Sequence, residues 1–340
     1  MASSIFEEYD KKYPNLVMEI LDYFSLNNEN TMPIVERSIL KFCKMHQDKF
    51  SVNYKPWIVS AICKRLCENR QMLCLKSFGG MGMEENYLFA INYPKIFEKE
   101  KTRLQYYYNS IVYGFEYIYE LYKSIVVPLV WEKENGDYSA GTGFKFADGI
   151  VTAKHCITDA ENLQVKGYSA KELANSNVYI SDNEGVDIAF IKTGKVEEPL
   201  IYCDEGKILQ EVLVMGYPKV PAFTAFLTSE KASISAKAEA RITPTKGCIT
   251  AYANEYLAKI EAMLITAKIR GGNSGGPVIN QNGCLVGIAC QLPNYYGEIG
   301  DYDDLGYGVA VPSKYLKEIV FSENPPIYRV PDNFWRNFEE

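Results

Sequence analysis

The sequence predicts a multidomain α + β protein, a helical N-terminal domain followed by an antiparallel β-rich domain. Three observations predict it. The chain has 340 residues, 47% of them hydrophobic and 23% charged, which is long enough for two or three compact units and ordinary for folded protein. Residues 1–93 carry apolar side chains at helical spacing. From Ser124 onward the texture changes to short β-type runs separated by turns.

In the first domain, residues 1–93, Leu16 to Tyr23 has helical spacing, and Thr31 with Pro33 marks a helix start before IVERSILKFCKM. Pro56 opens a third helix, WIVSAICKRLCEN, because its missing N–H costs nothing at a first helical position. MLCLKSF and NYLFAIN then flank GGMGMEE as the two arms of a hairpin. Three helices and a hairpin resemble a winged helix, in which the third helix reads DNA and the loop is the wing. On that resemblance residues 31–91 are a candidate DNA-binding surface, although the basic residues alone favour a packing or partner-binding role. Residues 31–76 hold nine Lys/Arg (Arg37, Lys41, Lys44, Lys49, Lys55, Lys64, Arg65, Arg70, Lys76) against Glu36, Asp48 and Glu68. The competing reading is a partner-binding or packing domain with a solvated basic face, and the whole-chain charge of −7 opposes general nucleic-acid affinity.

Residues 94–123 form a connecting helix crowded with aromatics, from Tyr106 to Tyr122, which implies burial on several sides, by core packing or between domains. Residues 124–322 supply the strands IVVPLVW, GTGFKF, GIVTAK, NVYI, DIAFIKT, EVLVMGY, CLVGIAC and GYGVAVP, closed by a helix from Ser313 to Phe321. Many short strands at close intervals indicate an antiparallel sandwich or barrel. Residues 323–340 read as a Pro-containing tail, and no solenoid or propeller repeat is visible.

The acidic start, MASSIFEEYDKKYPNL, lacks the basic and apolar order of an export signal. No run reaches the roughly 18 to 20 apolar residues of a membrane helix. Nine scattered cysteines suggest free thiols rather than a disulfide framework. A cytoplasmic protein is expected. Cys63 and Cys67 stand four apart with only His46 in the same region, too few donors for a zinc site, and no metal or cofactor is expected.

A serine hydroxyl becomes a useful nucleophile only beside a base, with a carboxylate to fix the base and donors for the oxyanion. GNSGGP, residues 272–277, sets Ser274 among glycines, so that the N–H groups of Gly272 and Ser274 can converge on one oxyanion. His155, in GIVTAKHCI, is the one imidazole outside the helical region. Asp187, in GVDIAFIKT, is a carboxylate heading an apolar strand, where a charge needs a partner. Each has an ordinary structural reading alone; the order His, Asp, Ser joins them.

TAKHC, DIAFI and GNSGGP resemble the motifs of trypsin-like serine peptidases, and GTGFKFADGIVTAKHC with GYGVAVPSKYLKEI is similar to the bacterial Deg-type and glutamyl-endopeptidase branches. The resemblance covers about residues 124–321 and implies an antiparallel double β-barrel of chymotrypsin type, a triad of His155, Asp187 and Ser274, and hydrolysis of a protein or peptide substrate. It also implies a substrate pocket near Thr266, Lys268, Arg270 and Cys290. No acid occupies the trypsin-like pocket position, where Lys268 stands, and the acidic loop EIGDYDD borders the cleft or is merely solvated. Asn273 replaces the aspartate that in trypsins pairs with a new N-terminus. Control of activity is therefore expected from the N-terminal domain, in a setting such as bacterial stress response or defence. The alternatives are a peptide-binding pseudoprotease and a DNA- or partner-binding regulator with a conditional protease domain.

Overall fold

The computed structural model describes residues 9–26, 33–76, 84–90, 98–132, 138–228, 231–255, 260–290 and 307–338. They belong to two compact units, Met1–Ile118 and Tyr119–Glu340.

The first unit contains α1 (Tyr9–Lys12), α2 (Leu16–Tyr23), a 3-10 turn (Ile34–Glu36), α3 (Ile39–Phe50), α4 (Pro56–Glu68), the antiparallel pair β1 (Leu73–Lys76) and β2 (Asn86–Leu88), and α5 (Glu98–Tyr113). α6 (Phe115–Tyr122) runs across the division. The core of the first unit is built from Leu16, Ile20, Phe42, Ile58, Ile62 and Leu66, which recur at helical spacing.

The helix expected to start at Pro33 is interrupted. Arg37 is extended, and the Ser38 hydroxyl caps a new helix by accepting the Lys41 N–H at 3.3 Å. Arg37 turns inward, 4% exposed, and donates to the carbonyls of Tyr23 and Ser25 at 2.7 Å each, where α2 ends. One of the nine basic residues is thereby removed from any surface that could meet a nucleic acid. The loop expected as a wing lies mostly outside the described residues, and so does the acidic loop at 298–304.

The aromatic helix is not a free connector. Tyr107 and Tyr108 pack with Leu104 and Val112 into the core of the first unit, and α5 ends at Gly114, whose φ of 75° breaks the helix. Cys63 lies wholly inside the same core, and burial pushes its thiol upward.

The second unit runs β3 (Val126–Glu132), β4 (Tyr138–Phe146), β5 (Gly149–Thr152), α7 (His155–Thr158), β6 (Glu161–Val165), α8 (Ala170–Ala174), β7 (Asn177–Ile180), β8 (Ala189–Lys192) and β9 (Glu211–Gly216). It continues with β10 (Lys219–Thr228), β11 (Lys231–Ala240), β12 (Thr243–Glu255), β13 (Ile260–Ile265), β14 (Pro277–Asn280), β15 (Leu285–Cys290), β16 (Gly308–Pro312), α9 (Ser313–Val320), β17 (Ile327–Tyr328) and β18 (Trp335–Arg336). One sheet has eight strands in the order β17-β7-β8-β5-β4-β3-β6-β18, and the other closes into a barrel, β12-β13-β16-β15-β14-β9. β10 and β11 pair with each other in a separate ribbon. This is the double-barrel arrangement expected for the unit, with its first sheet left open.

The C-terminal residues expected as a tail belong to that open sheet. β17 pairs with β7 and β18 pairs in parallel with β6, while Phe334 and Trp335 are buried among Leu163, Val165 and Trp131. Two aromatic side chains give this short segment enough apolar area to dock. Trp335→Ala is expected to destabilise the second unit by about 3–5 kcal/mol, the cost of a large-to-small core change. Denaturant unfolding checks this; a loss below about 0.5 kcal/mol is what a surface tail would give.

Candidate active site

β4 and β5 form a hairpin whose turn is closed by Ala147 at φ 49°. β5 is buried along its whole length and delivers the chain to Ala153, after which the single turn α7 begins at His155. Asp187 stands just before β8, behind a turn in which the Asn183 side chain accepts the Gly185 N–H at 3.0 Å and the Asn183 carbonyl accepts from Val186. β5 and β8 are antiparallel neighbours with Thr152 opposite Ala189, so the residues beyond their paired ends meet.

Both oxygens of Asp187 are used by His155. Oδ1 accepts the His155 backbone N–H at 3.0 Å and Oδ2 accepts from ring Nδ1 at 2.8 Å. A carboxylate can only accept, so the proton of the neutral ring sits on Nδ1 and leaves Nε2 as the basic nitrogen. Burial opposes charge on the ring, but the hydrogen bond to Asp187 and the influence of Cys156 together outweigh it, and His155 is held above its ordinary value of 6.5.

Ser274 lies in a loop fastened at several points. Asn273 N–H donates to the Arg270 carbonyl at 2.9 Å, Gly275 N–H to Ala289 at 2.7 Å, and Gly276 N–H to Asn273 at 2.9 Å. Gly272 and Gly275 have φ of 98° and 88°, and a Cβ at either would collide with backbone, against Tyr217 and Thr142 respectively. The string GNSGGP therefore needs its glycines for backbone shape and for closeness to the other sheet. Ser274 is 6% exposed, and its carbonyl has the Cys156 thiol, next in sequence to His155, at 3.9 Å.

The residues expected around a substrate pocket divide. Thr266, Lys268 and Arg270 are exposed, whereas Ile265 and Ala267 are buried and Ile269 is half-buried on the opposite alternation. The Thr266 hydroxyl accepts the Cys248 N–H at 2.8 Å, and the Lys268 carbonyl accepts from Thr245, so this edge serves β12. Ile269 covers Gly308: a Cβ at 308 would come within 2.6 Å of the Ala267 carbonyl and 2.8 Å of Ile269 Cγ1. Cys290 is buried, and its thiol is pushed up by burial first and by the Asp187 charge next.

Ile269, Gly308 and Thr142 carry contacts at this site that the sequence reading did not anticipate. Thr142 stood within GTGF as one β-former among several. The two glycines around it were the available signal, since strand glycines mark close backbone approach.

Residues 141–288 match the family described as trypsin-like peptidase domain. Protease Do-like 2, chloroplastic, of Arabidopsis thaliana is 29% identical over 187 residues, 53% of this chain and 27% of that protein. A probable periplasmic serine endoprotease DegP-like of Chlamydia trachomatis is 26% identical over 190 residues, 54% of this chain and 33% of that one. The chain thus spans a minor part of the length of these relatives. The serine endoprotease from Yersinia pestis, a solved structure, aligns at 22% identity over 61% of this chain and 65% of that chain, with a TM-score of 0.42. His155, Asp187 and Ser274 all fall inside the matched residues, and this chain carries a trypsin-like peptidase domain homologous to the HtrA/Deg serine proteases.

Proposed function

We propose that the chain is a serine endopeptidase acting through His155, Asp187 and Ser274, and that it cleaves a specific protein partner under the control of its N-terminal unit. The observation that carries this reading is the pairing of both Asp187 oxygens with His155, at 3.0 and 2.8 Å. It fixes the ring's rotation and tautomer together.

In this mechanism His155 Nε2 takes the proton of Ser274 as Oγ attacks the scissile carbonyl carbon. The imidazolium that forms is stabilised by Asp187, and the oxyanion by the N–H groups of Gly272 and Ser274. The tetrahedral intermediate collapses as the ring returns its proton to the leaving amine, giving an acyl-enzyme. Water, deprotonated by the same ring, then releases the acid and regenerates Ser274.

In this reading the primary pocket is lined near Thr266, Lys268, Arg270 and Cys290, with Ile269 packed against Gly308 beside them. Control by the N-terminal unit is supported by Asn273: a neutral residue there cannot form an activating ion pair with a new N-terminus, so order in the loop must come from elsewhere.

The decisive experiment is labelling of the full chain and of Ser274→Ala with a fluorophosphonate, followed by peptide mapping. An adduct on Ser274 that disappears in the variant is expected; a folded wild type that stays unlabelled would count against an assembled triad.

The rate of that labelling should depend on pH with a definite sign. Attack needs the neutral ring, and Asp187 holds the His155 proton above 6.5. The rate is therefore expected to climb with pH through a midpoint above 6.5 and to fall as the ring is protonated. In Asp187→Asn the favourable charge is gone while burial remains, so the midpoint should drop and the plateau rate should fall by about 10⁴, as when a triad aspartate is replaced in this manner. An unchanged midpoint would remove Asp187 from the proposed role.

A further inference from the structure

Thr142 in β4, which is fully buried, grips the loop of Ser274 from the opposite sheet. Its hydroxyl accepts the Tyr217 N–H at 2.8 Å and donates to the Gly272 carbonyl at 2.6 Å. The directions are fixed, because an amide can only donate and a carbonyl can only accept. Its backbone N–H donates to the Ser274 carbonyl at 2.9 Å, and its own carbonyl accepts from the Thr152 hydroxyl at 2.8 Å. One side chain and one amide thus hold the carbonyls of Gly272 and Ser274, the two residues whose N–H groups face the oxyanion in the mechanism above.

We infer that Thr142 is a positioning residue for the oxyanion hole, aligning the Gly272 and Ser274 N–H groups through the carbonyls of the same two residues. The inference rests on the peptidase reading. Glycine is the residue least able to hold its own orientation, since without a Cβ its φ and ψ turn freely. Gly272, at φ 98°, has no side chain of its own, and its carbonyl, which shares a peptide plane with the Asn273 N–H bonded to Arg270, is held on its other side by the Thr142 hydroxyl. The hydroxyl also stands in a dry place, so removing it leaves the Gly272 carbonyl and the Tyr217 N–H both without their partner. Relief comes most easily by rotation of the peptide between Gly272 and Asn273, which shifts the loop that carries both oxyanion donors.

Two variants of the full chain separate this role from packing. Thr142→Val keeps the shape and loses the hydroxyl; Thr142→Ser keeps the hydroxyl and loses a methyl group. In fluorophosphonate inactivation, Thr142→Val is expected to lower the maximal rate by about tenfold to a hundredfold, less than outright removal of an oxyanion donor, with the half-saturating reagent concentration unchanged. Thr142→Ser should stay within about threefold of wild type even if its melting temperature falls as far as that of the valine variant. A valine variant as fast as wild type, or a serine variant as slow as valine, would overturn the inference.

Amide hydrogen exchange over residues 270–276 decides the same point without chemistry. Faster exchange there in Thr142→Val but not in Thr142→Ser is expected, and equal protection in all three proteins would overturn the clamp. A wild type that fails to label at Ser274 would defeat the peptidase reading instead, while the exchange result would still judge Thr142.

Discussion

Ser274 and His155 are carried by different sheets, and the hydrogen bonds between Thr142 and the loop of Ser274 tie those two sheets together. His155 and Asp187 are placed by β5, α7 and the approach to β8; Ser274 is placed by the turn leading into β14. β4 lies beside β5 through Gly143 opposite Thr152, and one residue earlier it donates to Ser274 itself. Strand pairing within the open sheet is thereby transmitted to the closed barrel with no flexible connection between. Gly275 allows this approach, as a Cβ there would come within 2.1 Å of the Thr142 carbonyl. A threonine and a glycine far apart in sequence act as two halves of one contact.

Against that frame of neutral hydrogen bonds the site carries one charge set back from water, Asp187, whose side chain is 15% exposed. A carboxylate withdrawn from solvent is costly unless its lone pairs find donors. His155 supplies two, and the Cys290 thiol nearby stays protonated because burial raises it, so no second negative charge competes. The outcome is a ring whose charged form is favoured over its ordinary state, which is the property a base needs at the moment it accepts a proton.

The parts of this candidate site that stand out in the sequence are those whose chemistry is uncommon. One imidazole outside the helical region, one carboxylate heading an apolar strand and one serine among glycines leave few assignments, and eight strands with a closing helix followed from β-forming runs between turns. What stayed hidden depends on parity or on distant contact. β13 has no clear signal in the sequence, so the alternation that continues through Thr266, Ala267, Lys268 and Ile269, exposed and covered in turn, has no phase there. β17 and β18 are too short for any periodic signal, two residues each, and their place is set by Phe334 and Trp335 finding a core formed some 170 residues earlier. The expected helix at Pro33 failed for a similar reason: Arg37 satisfies carbonyls at the end of α2, a demand invisible to local spacing.

Asn273 shows how the loop differs from one ordered by an ion pair. Its side chain is only 2% exposed, and its Oδ1 has no partner among the described residues and lies where a Cβ at Gly216 would come within 2.7 Å of it. A buried acceptor left unpaired costs on the order of 1–3 kcal/mol. The arrangement holding Gly272 and Ser274 in place therefore contains its own opposing contribution, and no charge pair at Asn273 compensates. Its order must rest on the backbone bonds of the loop and on those from Thr142. A balance made of neutral bonds of about 1 kcal/mol each can be tipped by a partner of modest affinity, whereas one anchored by a buried ion pair could not be. That difference in scale is the physical ground for expecting activity in this chain to be conditional, and for placing the point of control at the loop and not at the charge pair.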